Sequence, residues 1–240
     1  MGNLPIIFSA PMVLAIHESG KSQTRRVLKP QPVWSNGGAI HDGGGGQMDY
    51  IEPHWVVAPK PRVIEGDRLW VREAWRTFVS LDNVRPRDLL VGGRGAGVLY
   101  EADGTNLSLG KAPDRERRFG KVIDRAPFGR LRSPRFMPRW ASRATLHVTR
   151  VRIERLNDIS DSDALAEGVQ PRPDGIGFWI PGVDHPNPDF PYLSRPSPRE
   201  MYAALFDTLH GSGSWLANPW VAAIEFTVSL RNIDELDLAA

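Results

Sequence analysis

The chain has 240 residues, 41% of them hydrophobic and 24% charged, with a formal net charge of +2. Those values suit one elaborated globular domain or two small ones, and the absence of cysteine excludes disulfides and thiolate metal sites. No apolar run approaches the roughly 20 residues that span a bilayer and no basic-then-apolar leader opens the sequence, so a cytoplasmic protein without membrane contact is expected.

Pro5–Ser9 reads as an opening strand. Met12, Val13 and Ile16 fall at helical spacing within Ala10–Ser19, and Gly20 is a natural stop. Ser22–Leu28 reads as a strand or extended turn. Residues 31–62, rich in Gly and Pro, read as a long loop or insertion. Over Val63–Arg76 a Glu65-Gly66-Asp67 turn leads into Leu69 and Val71, which alternate with Trp70 and Arg72 as in a strand. Gly97–Ala102 is a further short strand, and the polar, Arg-rich stretch from Asp103 to Pro138 reads as a second insertion. In Ala144–Leu156 the apolar Leu146, Val148, Val151 and Ile153 interleave with polar residues, which fits a long strand or a bent strand pair. Ser160, with Asp163 three residues on, caps a short helix to Glu167 that ends at Gly168. Gln170–Pro198 is a Pro-rich insertion. Pro198–His210 carries Met201, Leu205, Phe206 and Leu209 on one face and stops at Gly211, a helix. Trp220–Leu230 is a closing strand. Few parallel-sheet units fit this order, so the expected fold class is α+β: a small, mostly antiparallel β-barrel with peripheral helices and long loop insertions. One domain is expected over residues 1–230, interrupted at about 31–62, 104–136 and 170–197, with a tail at 231–240.

Charge is unevenly spread. Residues 1–110 carry a net +1, residues 111–155 a net +10 and residues 156–240 a net −9. The basic block either attracts the phosphates of RNA or single-stranded nucleic acid or faces the acidic C-terminal third.

Two short segments carry the most chemistry: Gly20-Lys21-Ser22-Gln23-Thr24-Arg25-Arg26 and Gly66-Asp67-Arg68-Leu69-Trp70-Val71-Arg72-Glu73. Together they resemble the ASCH domain family, a branch of the PUA-like β-barrels. Met137-Pro138-Arg139-Trp140-Ala141-Ser142-Arg143 and Asn218-Pro219-Trp220-Val221 resemble marks of a long subgroup common in phage and prophage genomes. The resemblance covers half to two-thirds of the chain, and the insertions fall outside it. Some small ASCH proteins are amidohydrolases that deacylate N4-acetylcytidine with a Lys, a Thr three residues later and a Glu on a later strand. The resemblance therefore implies catalytic roles for Lys21, Thr24 and Glu73. Thr24 Oγ would attack the acyl carbonyl, Lys21 would take its proton and return it to the leaving amine, and Glu73 would orient Lys21 or polarise a water. A hydroxyl nucleophile needs such a base, and burial must lower the pKa of a lysine that serves as one. An ionised Glu73 nearby pushes the other way, so either desolvation wins or Glu73 is the base and Lys21 stabilises the oxyanion.

Arg25, Arg26 and Arg72 either contact a phosphate or base edge or close the barrel ends. Among the tryptophans, Trp70, Trp75, Trp140, Trp215 and Trp220 are stacking candidates or core residues. Trp140, flanked by Arg139 and Arg143, is expected to face ligand, with Tyr100 as a weaker candidate. The six histidines show no ligand spacing, so no metal and no cofactor is expected. The leading expectation is an amidohydrolase acting on N4-acylated cytidine. The alternatives are a non-catalytic reader of RNA or of a modified base, and a ribonuclease.

Overall fold

Five strands form the central sheet of the computed structural model, in the spatial order Asn3–Ile7, Arg68–Arg72, Thr145–Arg155, Trp220–Ser229, Gln23–Val27. The first pair is parallel and the other three are antiparallel. Residues 2–35, 38–40, 49–51, 53–57, 60–89, 97–109, 117–122, 124–183 and 193–237 are described. Among the described residues four α-helices accompany the sheets: α1 (Ala10–Glu18), α2 (Asp161–Ala166), α3 (Pro198–His210) and α4 (Ile233–Asp237). The fold is α+β and mostly antiparallel, with few helices.

The spacing of apolar residues in the long strand has a structural cause. Leu146 and Val148 keep period two, but Val151 follows three residues later. Between Val148 and Arg150 the register against the Trp220–Ser229 strand shifts, so Thr149 is the extra residue of a β-bulge. A bulge lets a strand bend and re-aims its side chains. The main core lies between the sheet and the helices, with Val13 and Ile16 from α1, Leu69, Leu146 and Ile224 from the sheet, and Met201 and Phe206 from α3.

No closed barrel forms among the described residues. The Asn3–Ile7 and Gln23–Val27 strands remain the two unpaired edges of the sheet. They approach across a seam that one side chain bridges: Arg26 Nη2 donates to the Ile7 carbonyl at 2.7 Å.

The insertions contain more structure than their composition suggests. Within residues 31–62, Val33–Ser35 pairs with His54–Val57 and Gly38–Ile40 with Asp49–Ile51. Within 104–136, Thr105–Leu109 and Arg117–Lys121 extend a second sheet whose other strands are Gly97–Tyr100 and Trp75–Thr77. That sheet has its own core of Trp75, Val98, Tyr100, Leu107 and Met137. Within 170–197 three two-residue strands pair. Runs of two to five residues are too short for a clear alternation signal. The C-terminal segment docks rather than trailing: Ile233 is buried, and Asn232 Nδ2 donates to the Arg139 and Ser142 carbonyls at 2.8 and 2.7 Å.

Candidate functional site

Two helix ends meet to build the site. Beyond α1, Gly20 takes a positive φ of 68°, and Lys21 N donates back to the Ala15 carbonyl at 3.1 Å. The start of α2 is fixed by a reciprocal capping box between Ser160 and Asp163, which satisfies donors the helix leaves unpaired. Its end is fixed by Gly168, at φ 105°. Ser22 N donates to the Ala166 carbonyl at 2.9 Å and ties the two ends together.

Lys21, now fully buried, points its ammonium at Glu167. Nζ lies 2.7 Å from Glu167 Oε2 and 2.5 Å from the Glu167 carbonyl oxygen. Burial pushes the Lys21 pKa down. Glu167 opposes the shift, and the Arg26 and Arg25 charges add to it.

Thr24 sits on the adjoining strand and lines a cavity of about 240 Å³. Its hydroxyl has no hydrogen-bond partner among the described residues. Phe8, Tyr202, Phe206 and His210 supply apolar and aromatic walls, and Arg26 and Glu167 supply charge. The cavity is below the usual ~300–1,000 Å³ of drug-sized pockets, so a single planar ring suits it. The Arg26 guanidinium lies 4.9 Å from the Phe8 ring centre, and its buried Nε has no partner. Arg25 is committed elsewhere: it is buried and bonds Gln23, Glu154 and Glu167, with Asp163 at 3.2 Å. The Tyr202 hydroxyl donates to Glu167 Oε1 at 3.5 Å, and burial holds its pKa well above the usual phenol value. Burial, then Arg26 and Lys29, lower the His210 pKa.

Glu73 occupies a different setting. It stands where the Arg68–Arg72 strand ends and the chain passes into Trp75–Thr77 of the second sheet. Arg143 donates to both its oxygens at 2.8 Å, and a third Arg143 donor reaches Asp103 at 2.6 Å. Burial raises the Glu73 pKa while Arg143 opposes it. Lys21 therefore takes its carboxylate partner from α2, and Glu73 takes its cationic partner from the segment before Thr145–Arg155. The Tyr100 ring lies under Arg143 at 4.2 Å, and its hydroxyl donates to the Ala141 carbonyl at 2.7 Å. His17 of α1 feels this cluster. Burial lowers its pKa to about 4, with Arg143 adding to the shift, and its Nε2 is buried without a partner.

The other candidates lie outside the cavity. Trp70 is buried beneath Arg72, whose guanidinium is 4.3 Å from the ring centre and donates to the Arg135 carbonyl. Trp75 is fully buried. Trp140 packs against the second core, Arg139 pairs with Asp234 at 2.6 Å, and Trp215 and Trp220 lie beneath Arg199 and Arg155. So Thr24, Arg25 and Arg26 line the cavity, with Lys21 joined to it through Glu167. Sequence reasoning missed Glu167, Tyr202, Phe8 and His210 as site residues. The available signal for Glu167 was its place before the terminal glycine of a capped helix.

Among the described residues no cluster of three or more His, Asp or Glu could hold a metal ion, and no helix is long and apolar enough to cross a membrane. No family model, curated protein or solved structure matches this chain.

Proposed function

We propose that the Thr24 cavity binds a modified pyrimidine base and that Thr24 and Lys21 remove an acyl group from its exocyclic amine. The observation that carries the proposal is Thr24 on the cavity wall, its hydroxyl without a hydrogen-bond partner among the described residues, beside a carboxylate that anchors a buried lysine of lowered pKa. A neutral lysine amine has two N–H donors, and the Glu167 carbonyl and carboxylate oxygens take both. Its lone pair then remains to accept the Thr24 proton. Thr24 Oγ attacks the acyl carbon, the carbonyl electrons move to oxygen, and an Arg26 donor stabilises that oxyanion. Collapse breaks the C–N bond, and Lys21 returns the proton to the leaving amine. Water, deprotonated in turn by Lys21, attacks the threonine ester, the acyl–Oγ bond breaks to release the carboxylic acid, and Lys21 returns the proton to Thr24 Oγ. In this reading Glu167 holds the amine in place, and Glu73, paired with Arg143, takes no part in it. The curled sheet with its single Arg26-bridged seam supports, as part of the same proposal, kinship with the PUA-like ASCH barrels.

A second reading, a non-catalytic reader of a modified base, is favoured by the Lys21–Glu167 ion pair, because a carboxylate beside an ammonium holds the proton on nitrogen. N4-acetylcytidine, followed by the ultraviolet change on deacylation, separates the two. Thr24→Val removes only the hydroxyl and should reduce kcat by at least ~10³-fold while leaving the thermal transition nearly unchanged. Activity should fall as pH drops through the lowered Lys21 pKa, because the protonated amine cannot accept. Binding without turnover would overturn the hydrolase, and turnover that survives Thr24→Val would overturn Thr24 as its nucleophile.

A further inference from the structure

The seam between the two sheet edges is itself a groove, with a cavity of about 490 Å³. Its floor is aliphatic, with Ile6, Val27 and Ile224, and Arg26, Lys29, Lys60 and Arg62 stand around it with no acidic residue among the described residues of the lining. Lys29, Lys60 and Arg62 are exposed, and none forms an ion pair among the described residues. The contrast with the basic block 111–155 is informative. There, Arg125 pairs with Glu101, Arg139 with Asp234, Arg143 with Glu73 and Asp103, and Arg152 with Glu154, Asp163 and Glu225, while the exposed Lys121, Arg135 and Arg150 form no ion pair among the described residues. Cations already neutralised by neighbours offer little to an incoming anion. Four cations over an apolar floor, with no carboxylate among them, attract one strongly.

The groove adjoins the Thr24 cavity, since Ile7 and Arg26 line both. The Arg26 and Lys29 charges are felt at His210 on the far wall of that cavity.

We infer that the seam groove is a phosphate site, and that the ligand whose base enters the Thr24 cavity is a nucleotide rather than a free nucleoside. This inference rests on the base-binding reading above for the occupant of the cavity, but the anion site stands on the groove alone. A mononucleotide and a single strand present the same phosphate ester. They differ in how many phosphates the flanking cations can meet.

The experiment uses the full chain and the double charge reversal Lys60→Glu/Arg62→Glu, with thermal melts confirming that the variant folds. Pyrophosphate is the probe of the groove alone. It should bind the native protein, weaken steeply with salt, and lose about tenfold or more in affinity in the variant. N4-acetylcytidine, its 5′-monophosphate and a short oligoribonucleotide carrying one N4-acetylcytidine are then compared. The monophosphate should bind at least about tenfold tighter than the nucleoside at low salt, and the variant should erase that advantage. A still tighter oligonucleotide with a steeper salt slope identifies a strand as the source, and equal affinities identify a mononucleotide. Pyrophosphate binding that is absent, or untouched by the charge reversal, overturns the inference. A phosphate advantage without deacylation overturns the hydrolase and leaves the groove standing. Equal turnover of nucleoside and nucleotide, insensitive to the reversal, overturns the groove and leaves the hydrolase standing.

Discussion

His17 has a measurable consequence for pH dependence. Its folded pKa of about 4 lies below the ordinary histidine value of 6.5, so folding favours the neutral ring. The stabilisation is fully present above pH 6.5 and is lost as pH falls through 4. One pKa unit corresponds to about 1.4 kcal/mol, and the ring is partly solvent-accessible, so a discounted loss of about 2 kcal/mol is expected. Denaturant titrations at pH 7 and pH 4 should show the native protein losing that much more than His17→Gln. Equal losses would remove His17 as the cause. At this same scale Lys21 and Thr24 were visible in the sequence as a motif, because both lie within one turn. Glu167 was not visible as their partner, since it lies 146 residues from Lys21 in the chain and only the meeting of two helix ends joins them. Glu73 stood out for its motif, but its partner Arg143 is 70 residues away and no spacing rule reaches that far.

Between elements, the contact that matters most is the end of α2 against the end of α1. A Cβ added at Gly168 would stand 2.9 Å from the Ala15 Cβ, with φ at +105°. Gly168→Ala should therefore cost about 1–3 kcal/mol, part backbone strain and part steric displacement of Glu167 from Lys21. Chemical denaturation gives the stability loss. The predicted signature is a deacylation rate that falls more than stability alone explains, and an intact rate would show that the register of the two helix ends is not critical. The long helices and strands were readable: α3 occupies Pro198–His210 as its apolar face predicts, and α2 starts at its Ser160 cap. The short paired strands of the insertions were not, because their stability comes from partners across the sheet rather than from a pattern of their own.

Across the whole molecule, the acidic C-terminal third neutralises part of the basic block 111–155, as Arg152 with Asp163 and Glu225 and Arg139 with Asp234 show. The alternative of facing charges, open in the sequence, thus accounts for these arginines, while Lys29, Lys60 and Arg62, without an ion pair among the described residues, gather along the seam. Composition could not locate them, because Lys29, Lys60 and Arg62 come from segments of unremarkable net charge. Arg26 belongs to both the seam and the Thr24 cavity, and its charge is one of the influences lowering the Lys21 pKa. An anion seated in the seam would screen that charge and let the proton affinity of Lys21 rise. The neutral amine would then become abundant only at higher pH. The acidic limb of the pH–rate profile should accordingly sit at higher pH for N4-acetylcytidine 5′-monophosphate than for N4-acetylcytidine, and coincident limbs would show that the two cavities do not sense each other. A single shared guanidinium would make the protonation state of the reacting amine depend on whether the substrate carries its phosphate.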